Sequence, residues 1–143
     1  MAITQAMATS FKVQLLNGTQ NFSADTFKLA LYTASATLGE NTTAYSASNE
    51  VASAGNYSAG GNTLSVSVTP TNSGNVAYIS FTNTSWTNAT ITSAGALIYN
   101  NTRSNAAVAV LSFGGDKTST NGTFAVNFPT ADSTSAIIRL TAS

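Results

Sequence analysis

Asp25, Glu40, Glu50, Asp116 and Asp132 are the acidic side chains of this 143-residue sequence, and Lys12, Lys28, Arg103, Lys117 and Arg139 are the basic ones. There is no His and no Cys. That inventory removes the usual general base, the thiolate nucleophile and the common zinc ligands. Ser and Thr abound, but an activated Ser would have to borrow its base from a lysine, a carboxylate or the N-terminal amine, and solvated surface lysines are the simpler reading. A carboxylate pair suits glycoside hydrolysis. Yet Asp25 precedes a strand-like run, while Asp116 and Asp132 follow such runs in turn-like contexts. Asp serves turns because its side chain bonds nearby backbone N–H groups. No dense Asp/Asn loop offers calcium its several oxygen ligands. Gly115-Asp116-Lys117-Thr118 has the wrong spacing for a phosphate-binding loop. The expectation is no catalytic, cofactor-binding or metal-binding residue, no cofactor, and no enzyme.

What remains is binding chemistry. Trp86 stands in Thr84-Ser85-Trp86-Thr87-Asn88, a stretch that reads as a connection between strands. A loop Trp is an interface anchor or a sugar-stacking platform; a structural role capping a sandwich outweighs both. Asn-x-Ser/Thr sequons such as Asn17-Gly18-Thr19, Asn41-Thr42-Thr43 and Asn121-Gly122-Thr123 arise by chance in a chain this rich in Asn, Ser and Thr. Charged residues make up only 7% of the chain, against about 25% in an ordinary domain. The basic residues are scattered and the net charge is zero, which argues against nucleic-acid binding. Copies of such a chain repel one another weakly, as suits a subunit that packs against neighbours. The first ten residues lack a basic stretch followed by an apolar one, which argues against a signal peptide. No apolar run approaches the roughly 20 residues of a membrane helix. The absence of Cys leans toward cytoplasmic synthesis.

The elements that position these groups are mostly strands. Met7, Phe11 and Leu15 share one helical face, and Asn17-Gly18 offers a stop, so a helix is predicted from about Gln5 to Leu16. The alternative is an arm to Ala8 and then a strand from Phe11 to Leu16. Strands are predicted at Phe27–Thr33, Leu64–Val68, Val76–Phe81, Thr90–Thr92, Ala96–Tyr99, Ala107–Phe113, Thr123–Phe128 and Ala136–Leu140. Pro70, Gly114-Gly115-Asp116 and Pro129 are expected to end strands, with a turn over Thr71-Asn72-Ser73-Gly74-Asn75. Phe27, Phe81, Phe113, Phe124 and Phe128 belong in the core. Residues 34–61 read as one long loop, and loops of that length commonly face a partner. The fold class is all-β: an antiparallel β-sandwich, the jelly roll among its variants, with a short N-terminal helix or arm. It forms one domain over 1–143, with residues 1–10 as the candidate arm.

Thr26-Phe27-Lys28-Leu29-Ala30-Leu31-Tyr32-Thr33, Thr43-Ala44-Tyr45-Ser46 with Asn49-Glu50-Val51, and Gly60-Gly61-Asn62-Thr63-Leu64 resemble a family of small tailed-bacteriophage virion proteins. Ala94–Asn100, Ala107–Gly114 and Phe124–Pro129 extend the resemblance, which runs from about Phe11 to Leu140. These are structural phrases, and the family offers no active-site residue to transfer. The resemblance implies a virion structural protein, made in the bacterial host cytoplasm and present in many copies. Foremost is a capsid decoration (cement) protein, a trimer or dimer that clamps the major capsid protein. The other reading is a tail or tail-fibre component that meets other tail proteins or a host surface glycan. Residues 1–16 and 34–61 are the candidate contacts.

Overall fold

A computed structural model describes residues 2–141 of the chain; Met1 of the candidate arm lies outside the described residues, as do Ala142 and Ser143. The elements are β1 (Ala6–Met7), α1 (Thr9–Leu16), β2 (Phe27–Tyr32), β3 (Asn62–Leu64), β4 (Val66–Ser73), β5 (Val76–Phe81), β6 (Thr84–Asn100), β7 (Ala106–Val126) and β8 (Ile138–Leu140). They form a five-stranded sheet in the order β1-β7-β6-β2-β3 and a three-stranded sheet in the order β4-β5-β8. Every strand pair is antiparallel. The fold is therefore all-β and sandwich-like with one short helix, as the alternating runs predict.

One apolar core joins the sheets and the helix. Phe27 of β2 stacks on Phe22 at 4.6 Å, and both rings approach Phe81 of β5. Phe11 of α1 meets Phe22 edge-on at 5.8 Å. Such ring pairs add about 0.5–1.5 kcal/mol each beyond the area they bury. The five predicted core phenylalanines are buried or packed against this cluster.

The helix begins later than its periodicity predicts. Ala6 and Met7 pair with Val110 and Ala109 at the edge of β7, and Ala8 is extended at φ −63°, ψ 135°. Pairing to β7 satisfies backbone groups that a first helical turn would leave open. The helix then ends at Asn17-Gly18 as expected, with Gly18 at φ +77°. The described part of residues 1–10 is not a free arm. Ala2 and Thr4 bond through the backbone to Leu38, Ala8 N–H donates to Val108 O, and Ala8 is fully buried.

Pro70 does not end its strand. It lies in β4, an edge strand, where the pairing to β5 shifts between Val68 and Thr71. A missing N–H is harmless at such a place. The expected five-residue turn contracts to Gly74-Asn75. Likewise, Thr90–Thr92 and Ala96–Tyr99 are parts of the 17-residue β6, while Ala107–Phe113 and most of Thr123–Phe128 lie in the 21-residue β7. Asn127 and Phe128 fall beyond the end of β7 at Val126, and the last strand is shortened to Ile138–Leu140.

Gly114-Gly115-Asp116 is not a strand terminator either. Ser93 pairs with Lys117 and Gly95 with Ser112, so Phe113–Asp116 bulges out of β7 while the ladder resumes on both sides. Gly114 and Gly115, at φ +76° and +140°, absorb the excursion. Two smaller bulges place Asn88 and Asn121 at positive φ, a conformation that Asn tolerates better than most residues.

Candidate interaction face

Residues 33–61 carry no long strand, yet they are anchored. Val51 N–H donates to Leu31 O and Thr33 N–H to Asn49 O, which continues the pairing along β2 beyond β3. Between those two stretches the Leu31 N–H would lack a strand partner, and it donates instead to the Tyr57 hydroxyl at 2.9 Å. That hydroxyl donates in turn to Glu50 Oε1 at 2.7 Å. Glu50 also accepts from Gly60 N–H at 2.6 Å and, through Oε2, from the Tyr45 hydroxyl at 2.6 Å. Tyr45 stacks on Tyr99 at 4.7 Å, Tyr99 donates to Gly60 O, and Tyr32 donates to Ser46 O. One carboxylate and four tyrosines thus pin the loop to the sheet.

Burial and the nearby Glu50 charge push the pKa of the Tyr99 hydroxyl up to about 12. Burial raises Tyr32, Tyr45 and Tyr57 as well, with Glu50 adding to each. All four remain protonated donors at neutral pH. Glu50→Ala would leave two hydroxyls and one backbone N–H without their acceptor. The expected loss is about 3 kcal/mol in urea unfolding, with faster amide exchange in residues 45–60. Glu50→Gln should recover part of it. An unchanged midpoint in the alanine variant would remove Glu50 from this role.

The N-terminal segment and the loop, two candidate contacts far apart in sequence, come together. Thr4 N–H donates to Leu38 O, Leu38 N–H to Ala2 O, and Thr9 N–H to Glu40 O. Between them lies a cleft of about 920 Å³. Its walls mix hydroxyl and amide side chains such as Thr4, Gln5, Asn41 and Thr42 with apolar ones such as Ala6 and Leu38, and Glu40 is its one charged lining residue. Such walls can hydrogen-bond a polypeptide backbone or another neutral polar surface without desolvating opposed charges.

Trp86 is not in a loop. It pairs with Phe124 within the β6–β7 ladder, is 2% exposed, and packs against the rings of Tyr57 and Phe124. Its indole face is therefore not offered to a sugar. No group of three potential metal-binding side chains occurs among the described residues. Asp132 takes the turn role expected of it, accepting from Thr134 and Ser135 N–H. Asp116 is exposed in the β7 bulge.

Asp25 has a stronger structural role than a turn. Its side chain is 2% exposed, and Oδ2 accepts from Arg103 Nε at 3.0 Å, Asn100 Nδ2 at 2.8 Å and Asn21 N–H at 3.1 Å. Burial pushes its pKa up, but the three hydrogen bonds and the Arg103 charge outweigh burial and hold it below the ordinary 3.8. The folded value is the lower one, so this group stabilises the fold above pH 3.8, and the contribution is lost as pH falls through the folded value. Urea midpoints measured from neutral pH to well below 3.8 should fall more steeply for the wild type than for Asp25→Asn. Equal slopes would dismiss the role.

The tyrosine cluster has no signature in the sequence, because its members stand at positions 32, 45, 57 and 99 and only the fold joins them. No family model, no curated protein and no solved structure matches this chain. No helix among the described residues is long and apolar enough to cross a membrane.

Proposed function

We propose that this chain is a virion structural protein of a tailed bacteriophage, a capsid decoration protein that binds the outer shell and stabilises it. The observation that carries the reading is the composite face: two segments folded against each other around a cleft that offers hydroxyl and amide groups and a single carboxylate. A decoration subunit needs many modest contacts repeated by symmetry, and a face of hydroxyls and amides supplies them with little charge to desolvate. The major capsid protein and further copies of this chain are the proposed partners.

The test is gold-labelled antibody against the protein, imaged on intact particles. Label over the head supports the reading. Label confined to the tail overturns it in favour of a tail or fibre component. On purified shells, Asn41→Arg at the exposed cleft wall should weaken binding while leaving the urea midpoint unchanged. A truncation of residues 1–10 is a poorer probe, because it also removes β1 and the buried Ala8.

A further inference from the structure

We infer that Asn17 is a site of spontaneous modification, where the side-chain amide becomes an acid and the backbone can acquire an isoaspartyl link. The chain carries one triplet twice, as Asn17-Gly18-Thr19 and as Asn121-Gly122-Thr123, and has no other Asn-Gly pair. The triplet alone assigns both asparagines the same reactivity. The fold separates them.

The reaction is a ring closure. Hydroxide takes the proton of the Gly18 N–H, and the nitrogen attacks Asn17 Cγ. The Cγ–Nδ2 bond breaks, and ammonia leaves after taking a proton from water. Water then opens the cyclic imide at either carbonyl, which gives Asp from one opening and isoaspartate from the other. One water is consumed and one ammonia released, with no oxidant or reductant. Glycine after asparagine favours the closure because no Cβ shields the attacking nitrogen.

At Asn17 the backbone leaves α1 with ψ 6°, and closure requires the Gly18 nitrogen to swing onto Cγ. That movement releases Gly18 N–H from Leu15 O, a long bond at 3.3 Å, and Thr19 N–H from Gln14 O at 2.9 Å. Both are end bonds of an eight-residue helix, where the backbone frays and opens locally at small cost. Asn17 and Gly18 are exposed, and nothing lies within 4 Å of the place a Gly18 Cβ would occupy, so the moving peptide has room. Asn17 Oδ1 accepts from the Thr19 N–H and hydroxyl, whereas Nδ2, the group that leaves, has no hydrogen bond among the described residues. The product puts a carboxylate at the C-terminal end of α1, where the helix carbonyls already concentrate negative charge.

Asn121 is exposed too, so exposure does not decide between them. It lies inside the 21-residue β7, where Gly122 pairs with Ala89 and Phe124 pairs with the buried Trp86. Asn121 N–H also donates to Thr90 Oγ1 at 3.0 Å. Swinging Gly122 onto Asn121 Cγ would break the ladder within that strand, and core strands open far more rarely than helix ends.

The test incubates the purified chain in mildly alkaline buffer. Trypsin places the two sites in separate peptides, Val13–Lys28 and Thr118–Arg139, and tandem mass spectrometry locates the acid. In the folded chain, acid at position 17 should accumulate at least about tenfold faster than at position 121. In guanidinium chloride strong enough to unfold the chain, the two rates should converge. The formal net charge starts at zero, so each conversion adds a negative charge that ion exchange resolves. Asn17→Gln should remove the first acidic peak. A rate at Asn121 equal to or above that at Asn17 in the folded chain overturns the inference. So does a preference that persists in guanidinium chloride, or a first acidic peak that survives Asn17→Gln.

Discussion

Gly61→Ala is expected to abolish the folded state or to cost more than about 4 kcal/mol, a loss large enough to consume much of a small domain's stability. Gly61 enters β3 at φ +75°, where an L side chain is strained by about 1–2 kcal/mol. Strain is the smaller part. A Cβ there would overlap the carbonyl oxygen of Leu29 and crowd Ala30 Cα, and neither backbone atom can swing aside as a side chain can. The close approach is what lets β3 pair with β2, with Asn62 opposite Leu29. Gly74→Ala is the matched control: φ is +58°, but nothing lies within 4 Å of the added carbon. It should cost only about 1 kcal/mol. Soluble yield and urea midpoints of the two variants decide the matter, and equal stabilities would show that β3 is not seated this closely.

Trp86→Ala is expected to cost about 3–5 kcal/mol, the range for emptying a large aromatic site in a core. The indole sits between Tyr57 of the long loop and Phe124 of β7, so its loss opens a cavity and also loosens the loop. Trp86 Nε1 has no hydrogen-bond partner among the described residues, so Trp86→Phe forfeits packing but no protein hydrogen bond and should be much milder. Trp86 is the one tryptophan, which makes fluorescence a direct check. The wild type should emit as a buried indole and resist acrylamide quenching. Water-like emission would place the ring outside the core and return it to the candidates for sugar binding.

The strand content and the core were legible because alternation of apolar and polar residues is a local signal. Phe27, Leu29 and Leu31 announce a buried strand without reference to anything else. The errors fall where tertiary pairing overrides a local rule. Pro70 reads as a stop, but it is tolerated in an edge strand beside a register shift. Gly114-Gly115-Asp116 reads as a turn, but it is a bulge within one long strand, because β6 continues to offer partners on either side. Trp86 reads as a loop residue because Thr, Ser and Asn surround it; those polar neighbours are the outward side of a ladder whose inward side is apolar. The two segments of the interaction face could be chosen from their irregularity. Their meeting at Ile3 and Leu38 had no sequence signature.

The long β6–β7 hairpin sets an order of events during synthesis. Its strands are joined by the short turn Asn101–Asn105, so pairing can zip outward from residues close in sequence at little entropic cost. By contrast, Ala6 must find Val110, and Gln20 must find Asn100. Contacts of such separation form slowly. The segment that carries β1 therefore leaves the ribosome well before β7 and has no edge to join until β7 has been made. Throughout that interval it is open to other chains on the same message, and a fast-closing hairpin shortens the time in which a neighbour's β7 competes for it.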